Sequence, residues 1–237
     1  MNKATVIIPT TGAGTLKTSI ESVQSQSIQT DCYVIVDGAE NAAKIYKLVD
    51  DLGNQYKIKF CFLPINVGAN GFYGHRIYAA FTHLVNTEYV LYLDQDCWFE
   101  NNHVETLINK IESTNSHWGY SLRKIVDKNG YYICNDDCES LGKWRPVMEY
   151  SHIDTNCYCI KTEVANKICN AWHGGWGQDR VFFKTLSTYF TNFVCSNEYS
   201  LNYRLAGNDG SVKKEFFEHW NGVVKKKFTN GYPWRNI

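Results

Sequence analysis

The first hundred residues contain four short apolar runs that have the composition of buried β-strands. Each run is rich in β-branched or aromatic residues and lacks the apolar–polar alternation of a strand with one exposed face. The runs are Ala4–Ile8, Tyr33–Val36, Ile58–Leu63 and Tyr89–Leu93. Because continuous apolar strands need cover on both faces, they predict a sheet packed between two layers.

Segments with helical spacing lie between these runs. In each segment, apolar residues recur three or four positions apart, which places them on one face of a helix. These residues are Leu16, Ile20 and Val23, then Ala42, Ile45, Tyr46 and Val49, then Ile77, Ala80, Phe81 and Leu84. The alternation of strands and helices predicts an α/β fold with a doubly wound, mostly parallel sheet.

A polar or glycine-rich segment follows each predicted strand. The four segments are Thr10–Gly14, Asp37-Gly38, Asn66–Gly71 and Asp94–Asp96. In an open parallel sheet the carboxyl ends of the strands share one edge, where ligands bind. We therefore expect these four segments to line one binding site.

The pattern is less regular in the second half of the chain. The predicted elements are helices near His103–Glu112 and Glu163–Cys169, a strand near Trp118–Leu122, and a loop-rich stretch from Asp127 to Ile153. No flexible linker, internal repeat or low-complexity stretch separates this half from the first. We therefore expect one continuous domain with two fused halves, 1–98 and 99–237.

Composition and charge exclude several classes of protein. The 24 basic residues balance the 24 acidic ones, so no overall field favours nucleic acid or an anionic membrane. No apolar stretch approaches the ~20 residues of a membrane-spanning helix, and Ala4–Ile8 is too short for a signal peptide. We expect a cytoplasmic protein without a nucleic-acid partner.

The nine cysteines are consistent with that compartment. Several lie inside apolar runs, where a thiol behaves as a small hydrophobic side chain. An alternative is a zinc site formed by Cys134, Cys138, Cys157 and Cys159. Their C-x3-C and C-x-C spacings differ from the usual zinc pattern, which favours reduced, buried thiols.

Asp94 and Asp96 are the main candidates for a metal site. They follow the apolar run Tyr89–Leu93, and two carboxylates two positions apart at a strand end can point to the same side. Hard divalent cations prefer such oxygen ligands and complete their shell with water and phosphate oxygens. The alternative is that the aspartates only end the strand and cap a turn. Their place at the ligand edge favours the metal.

The motifs of the first half resemble those of family 2 glycosyltransferases, enzymes of the GT-A fold. Leu16–Ser27 looks like their first helix, Ile7–Thr10 like their opening strand, Val36–Gly38 like their aspartate-glycine step, Asn66–Gly68 like their asparagine-x-glycine loop, and Tyr92–Asp96 like their metal motif. The motifs occur in the family's order and spacing. The resemblance implies that residues 1–98 bind a nucleotide sugar and that residues 99–237 bind the acceptor and carry out catalysis.

The second half carries a further motif of this kind. Ile153–Asn156 fits the family, and Gly174–Asp179 resembles the tryptophan-glycine acidic motif of galactosyl- and N-acetylgalactosaminyl-transferases. In that motif an acidic residue lies beside the acceptor, which implies that Asp179 is the general base for the acceptor hydroxyl. The alternative is that Asp179 caps the following helix. The chain departs from many family members at Val36 and Gln178, where they carry Asp and Glu.

The same resemblance implies ligands for the nucleotide and the metal. The nucleotide pocket would be lined by Thr10, Thr11, Asp37, Asn66, Gly68 and Asp94, and Mn²⁺ or Mg²⁺ would be held by Asp94 and Asp96. Related enzymes often complete the metal site with a C-terminal histidine, which makes His219 a candidate and His173 its rival. The alternative for His219 is an ordinary surface histidine. Arg204 is a candidate for neutralising the diphosphate or for a surface ion pair.

The expected function is that of a metal-dependent, inverting glycosyltransferase. Its donor would be a nucleotide-diphosphate sugar, with a UDP-sugar favoured, and its acceptor a glycan, a polysaccharide precursor or a lipid-linked sugar. Trp144, Trp172 and Trp176 would stack on sugar rings or belong to the core. The C-terminal tail, Lys225–Phe228 with Tyr232–Trp234, would allow weak contact with an anionic membrane or form a solvated face.

Two other functions are compatible with parts of this pattern. A nucleotidyltransferase also uses a doubly wound sheet and paired aspartates, but it usually needs a basic phosphate loop, and Lys17 is the only base near Thr11–Thr15. A carbohydrate-binding module without catalysis would bind sugars without metal-dependent nucleotide affinity. The presence of Asp94, Asp96 and Asp179 argues against that module.

Overall fold

The four strands predicted in the first half lie side by side in one parallel arrangement. The computed structural model describes residues 2–53, 58–205 and 212–235. The strands are β1 (Ala4–Thr10), β2 (Thr30–Val36), β3 (Ile58–Phe62) and β4 (Tyr89–Tyr92). Their order is β3-β2-β1-β4, and all three neighbouring pairs are parallel. The predicted α/β fold is confirmed.

Burial of these strands follows from their place in the sheet. Every residue of β1 and β4 is buried, as expected for strands covered on both faces. In β3, by contrast, no residue is fully buried. The prediction of two-sided burial is wrong for β3 because it is the outer strand of the sheet and has a neighbour on one side only.

The helices of the first half are α1 (Leu16–Gln24), α2 (Ala39–Gly53) and α3 (His75–Phe81), the last continued by a 3₁₀ turn at Thr82–Leu84. In α1, all three apolar residues at helical spacing are buried. Tyr46 in α2 and Leu84 after α3 remain 56% and 57% exposed. Tyr46 lies near the outer strand, with its ring 5.9 Å from that of Phe62, so little protein is available there to cover it.

The second half extends the same sheet. Its elements are β5 (Trp98–Phe99), α4 (His103–Ser113), β6 (Trp118–Val126), β7 (Tyr132–Asn135), β8 (Tyr158–Lys161), α5 (Thr162–Ile168), α6 (Gln178–Tyr189), β9 (Phe193–Arg204) and α7 (Lys214–Lys227), with 3₁₀ turns at Thr155–Cys157 and Cys169–Trp172. The sheet continues in the order β4-β8-β6-β9-β5, and β7 pairs with β6. β8 is antiparallel to both of its neighbours, whereas β6 and β9 are parallel.

The two halves are therefore joined through backbone hydrogen bonds of one sheet. β4 of the first half pairs directly with β8 of the second. The expected boundary between residues 98 and 99 falls inside β5, which pairs with β9. The assignment of separate binding roles to the two halves stays a prediction.

The aromatic residues of the C-terminal tail pack into the protein. Trp234 is fully buried, and its indole N–H donates to Asp137 Oδ1 at 2.8 Å. The Tyr232 ring stacks on that of Trp234, with centroids 5.1 Å apart. Lys225–Lys227 at the end of α7 are exposed, whereas Phe228 and Tyr232 are half-buried. The weak membrane contact of the tail stays a prediction, and Trp234 is not accessible for it.

None of the helices in the described ranges is long and apolar enough to cross a membrane.

All nine cysteines are free thiols, and seven of them are buried. Burial raises the pKa of the half-buried Cys134 to about 11 and that of Cys195 also to about 11. A thiol with a raised pKa is a poor nucleophile and a poor metal ligand. Packing, rather than cross-linking, accounts for these residues.

We predict that a reducing agent leaves the melting temperature of the protein unchanged, because no disulfide constrains the chain. Thermal unfolding followed by circular dichroism with and without reductant measures this. A clear fall in melting temperature on adding reductant would show that a disulfide forms in solution.

Candidate active site

A cavity of about 530 Å³ lies at the carboxyl ends of β1, β2 and β4 and reaches the start of α6. The candidate residues from the sequence that line it are Thr10, Thr11, Asp37, Asn66, Gly68, Asp94, Asp96, Trp176, Asp179 and Arg204. The fold thus brings the predicted ligand edge of the sheet and the Gly174–Asp179 motif to one place. The cavity has the size of an ordinary small-molecule site.

Gln95, the residue between the two aspartates, holds the loop that follows β1. Its side-chain oxygen accepts hydrogen bonds from the Thr10 hydroxyl at 2.7 Å and from the backbone N–H groups of Thr11 and Ala13 at 3.0 and 3.2 Å. The Thr15 hydroxyl also donates to the Gln95 carbonyl at 2.9 Å. The Thr10 hydroxyl therefore helps to shape the cavity wall, since its proton is directed at Gln95.

Asp37 and Gly68 form the next part of the wall. Both carboxylate oxygens of Asp37 accept backbone N–H groups, from Val67 at 2.7 Å and from Gly68 at 2.8 Å. A Cβ atom at Gly68 would lie 2.7 Å from Asp37 Oδ2 and would overlap the Tyr73 carbonyl. Only glycine allows this close approach. Asp37 thus fixes the Asn66–Gly68 loop and has only its remaining lone pairs to offer a ligand.

Asp94 is held by two hydrogen-bond donors at the end of β4. The Tyr78 hydroxyl donates to Oδ1 at 2.8 Å, and the Asn156 side-chain amide donates to Oδ2 at 2.9 Å. Burial and the nearby carboxylates of Asp96 and Asp154 nevertheless raise the pKa of Asp94 to about 7. The negative charge at this position is therefore only partly compensated by the protein.

Asp96 lies beside Arg204, which ends β9. The Arg204 Nε–H donates to the backbone carbonyl of Asp96 at 3.0 Å, and an Nη donates to the Lys128 carbonyl at 2.8 Å. Burial raises the pKa of the Asp96 carboxyl, although the Arg204 guanidinium acts in the opposite direction. Arg204 also lines the cavity, as expected for a residue able to face phosphate groups.

Arg123 in β6 is a buried cation that lines the cavity. Its guanidinium binds three carboxylates, those of Asp136 at 2.8 Å, Glu139 at 2.7 Å and Asp154 at 2.7 Å. Its side chain is only 2% exposed. Although burial alone would lower the pKa of Arg123, these carboxylates raise it well above its ordinary value. The cation is permanently charged, and it ties three segments of the second half together.

One of these carboxylates connects Arg123 to the aspartate pair. Asp154 caps the 3₁₀ turn that follows it, and its Oδ1 accepts the backbone and side-chain N–H groups of Asn156 at 3.0 and 2.7 Å. Asn156 in turn donates to Asp94 and accepts the Asp94 backbone N–H. A continuous series of hydrogen bonds thus runs from the buried cation to the first aspartate of the motif.

Asp179 faces the same cavity from the first turn of α6. The N-cap of this helix is Gly177, with φ of 79°. Asp179 is therefore not the N-cap, which was its alternative role. Asp179 Oδ1 accepts the backbone N–H of Arg180 at 2.8 Å, and Oδ2 lies 3.5 Å from Nδ1 of His152. The side chain is 25% exposed, which leaves the carboxylate accessible from the cavity.

Aromatic side chains differ in their relation to the cavity. Trp176 lines it and is 72% exposed. Trp172 is fully buried and stacks on Phe182, with ring centroids 3.8 Å apart, so it belongs to the core. Trp144 is half-buried and lies against Trp234. Of the three tryptophans considered from the sequence, only Trp176 is placed to contact a sugar.

The two candidate histidines for the metal site lie outside the cavity. His219 is exposed on α7, and its ring packs against that of Trp220. His173 is also exposed and lies in a separate groove with His83. The structure does not bring either residue to Asp94 and Asp96, because the cavity walls are formed by other segments.

The donor set available for a cation is therefore small. Within residues 2–53, 58–205 and 212–235, no group of three or more His, Cys, Asp or Glu side chains is placed to hold a metal ion. This also leaves the four-cysteine zinc alternative without support. Asp94 and Asp96 together fit a divalent cation that takes its remaining ligands from water and from a bound phosphate, as Mg²⁺ commonly does.

Several residues that shape the site were not assigned a role from the sequence. Asn156 and Asp154 lie in the Ile153–Asn156 segment, whose fit to the family was the only signal. Gln95 lies between Asp94 and Asp96, and nothing in the local sequence indicates a role for its side chain. His152 and Arg123 lie in stretches without a recognisable pattern, because their partners are distant in the chain.

Residues 5–133 match the sequence model described as glycosyl transferase family 2. The fold is also similar to crystal structures of S. aureus TarS. The structure of TarS 1-349 in complex with UDP has a TM-score of 0.66 and 18% identity, with 97% of this chain and 66% of that chain covered. For the complex with UDP-GlcNAc the TM-score is 0.66 and the identity 17%, with 97% and 67% covered.

A structure of TarS with a longer chain has a TM-score of 0.63 and 16% identity, with 97% of this chain and 40% of that chain covered. This chain thus spans about two thirds of the length of TarS 1-349 and less than half of the longer chain. At such identities the likeness shows the shared fold. No curated protein sequence gives a significant match.

We predict that Asp94→Asn stabilises the metal-free protein at pH 8. The pKa of Asp94 lies near 7 in the folded state and near 4 in the unfolded chain, so its contribution to stability is present at low pH and is lost as the pH rises through 7. Asparagine removes this titration. In EDTA, we expect a melting temperature roughly 2–4 °C or more above wild type at pH 8, and a smaller difference at pH 5.

Asp31→Asn is the matched control, since Asp31 lies at the other end of β2 and pairs with Lys59 at 3.1 Å. It should not reproduce this pH dependence. If Asp94→Asn is no more stable than the wild type at pH 8, the charge of Asp94 does not destabilise the folded protein.

Proposed function

The chain belongs to glycosyl transferase family 2, and on that basis we propose that it transfers a sugar from a nucleotide-diphosphate donor to a hydroxyl group of an acceptor. The observation that carries this proposal is the placement of the aspartate pair and of Asp179 in one cavity. The pair suits a diphosphate with its cation, and the third carboxylate suits a hydroxyl that must lose a proton.

The proposed donor is a UDP-sugar. Structures of TarS, which shares this fold, contain UDP and UDP-GlcNAc. In this chain the nucleoside would lie between the Thr10–Ala13 loop, held by Gln95, and the Asn66–Gly68 loop, held by Asp37. Both loops are fixed before any ligand arrives, which reduces the entropy lost on binding.

The proposed cofactor is Mn²⁺ or Mg²⁺ bound by Asp94 and Asp96. The fit rests on two half-buried carboxylates that line the same cavity. Partial burial raises the pKa of both carboxyls, and neighbouring carboxylates raise it further, so an added cation would be favourable here. A bound cation would neutralise charge on the departing diphosphate. Arg204 would add a guanidinium beside the same phosphates. His219 has no part in this proposal because it lies away from the cavity.

The proposed reaction inverts the configuration at the sugar. The acceptor oxygen attacks the anomeric carbon, the bond from that carbon to the diphosphate oxygen breaks, and the electron pair leaves with the nucleotide. Asp179 accepts the proton of the acceptor hydroxyl. The exposed Trp176 ring beside Asp179 offers a face on which an acceptor sugar can stack. The acceptor would be a glycan, a polysaccharide precursor or a lipid-linked sugar.

We predict that UDP binds strongly only with Mg²⁺ or Mn²⁺ present, because the aspartate pair otherwise repels the phosphates. Titration calorimetry with a cation and with EDTA should differ by about tenfold or more in dissociation constant. Asp96→Asn should reduce that difference, whereas Asp31→Asn should not. If UDP binds as tightly in EDTA as with the cation, in the wild type and in Asp96→Asn alike, the cation is removed from the proposal.

We predict that Asp179→Asn folds and binds UDP like the wild type but transfers sugar ~10² times more slowly or worse. The asparagine oxygen can still accept the Arg180 backbone N–H, but it cannot take a proton from the acceptor. Melting temperature, UDP affinity and the rate of transfer to a panel of glycan acceptors measure the three effects. A variant that transfers at nearly the wild-type rate would show that the base is another residue.

A further inference from the structure

The segment from Tyr150 to Asp154 contacts residues around the cavity through its first, third and fifth side chains. The Arg180 guanidinium lies 3.9 Å from the centre of the Tyr150 ring. His152 faces Asp179, and Asp154 binds Arg123. The middle contact, made by His152, has no role in the proposed chemistry so far.

His152 is a buried histidine with an unsatisfied nitrogen. The residue is 4% exposed and lines the cavity. Its Nδ1 has no hydrogen-bond partner within the described part of the chain. The facing atom is Asp179 Oδ2, at 3.5 Å, which is beyond ordinary hydrogen-bond length. A buried polar atom left without a partner is unfavourable and needs an explanation, of which a role in catalysis is one.

The backbone that carries His152 is fixed on both sides. The His152 carbonyl accepts the Gly142 N–H at 2.8 Å, and the Asp154 N–H donates to the Ser140 hydroxyl at 2.8 Å. The buried ion pair between Asp154 and Arg123 anchors the end of the segment. The imidazole therefore has a defined position relative to the cavity.

The Asp179 carboxylate is fixed at one oxygen only. Oδ1 accepts the Arg180 N–H at 2.8 Å, whereas the contact of Oδ2 within the described residues is the long one with His152. A carboxylate with one hydrogen bond can still rotate about its terminal bond. A second donor on Oδ2 would fix its plane and direct the free lone pairs towards the cavity.

We propose that His152 is a positioning residue for Asp179. The Nδ1–H of His152 donates to Oδ2 of Asp179 and orients that carboxylate towards the acceptor hydroxyl. The inference rests on the proposed function. Hydrogen bonds at catalytic groups are often long without substrate and shorten in the complex, as this contact would do when the acceptor fills the cavity. His152 keeps its own proton throughout, and the proton of the acceptor goes to Asp179.

The test compares His152→Asn with His152→Phe. The asparagine side-chain NH₂ lies near the position of Nδ1 and can still donate to Oδ2, whereas phenylalanine fills the space without a donor. We expect His152→Phe to lower kcat by about 10- to 100-fold with unchanged UDP affinity. His152→Asn should retain most of the wild-type kcat. Loss of activity in both variants, with intact folding and UDP binding, would overturn the proposal.

A double mutant tests whether His152 acts through Asp179. In the Asp179→Asn background there is no carboxylate to orient, so adding His152→Phe should lower kcat little further. Multiplicative losses would show that His152 acts independently and would overturn the proposal. If His152→Phe fails to fold, His152→Leu provides the donor-free side chain in a smaller volume.

His103 provides the matched control. It is also fully buried with an unsatisfied ring nitrogen, but it is not among the cavity residues. His103→Asn should leave kcat of the folded protein unchanged, even if its melting temperature falls. The outcomes separate this inference from the proposed function. A wild-type protein that transfers no sugar counts against the function itself. An Asp179→Asn variant with nearly wild-type activity leaves the function standing but removes Asp179 as the base, and with it the role of His152.

Discussion

The candidate site depends on one buried cation. Arg123 lines the cavity with three carboxylates around its guanidinium, two from the turn at Asp136–Glu139 and one from Asp154. Removing one partner of a buried ion pair typically costs about 3–5 kcal/mol, against ~5–15 kcal/mol for the stability of a whole domain. Apolar packing cannot replace this group, because the segments around it carry charged side chains into the interior.

Contacts that begin at Arg123 extend both to the aspartate pair and to the proposed base, Asp179. Through Asp154 and Asn156 they reach Asp94, and through Glu139 they reach Tyr150, whose hydroxyl donates to Glu139 Oε1 at 3.1 Å. Tyr150 then supports Arg180, the neighbour of Asp179. The aspartate pair and the proposed base are therefore held by the same ion cluster, although one follows a strand of the first half and the other opens a helix of the second.

The sequence predicted the first half of this fold well and the second half in part, for a physical reason. The helices predicted near His103–Glu112 and Glu163–Cys169 and the strand predicted near Trp118–Leu122 are confirmed as α4, α5 and β6, whereas the shorter strands were not predicted. Strands such as β1 and β4 are buried on both faces, and their continuous apolar composition is visible without knowing their partners. β5 has only two residues and β8 only four, so neither carries a periodic signal. Asp94, Asp96 and Asp37 were found because strand ends converge in a parallel sheet. Arg123 and His152 were missed because their meaning comes from partners that local patterns do not reveal.

Gln95 gives the Asp94–Asp96 segment a structural role, because its side chain holds a neighbouring loop. Its side chain carries the loop after β1, while its neighbours in the chain are the two carboxylates. In the proposed donor site, the nucleoside and the cation would therefore be bound by one shared peptide segment. If binding of one of these ligands moves the segment and changes the affinity for the other, linkage requires the second to change the affinity for the first by the same factor. Gln95 would then be the residue that couples the binding of the nucleotide to that of the cation.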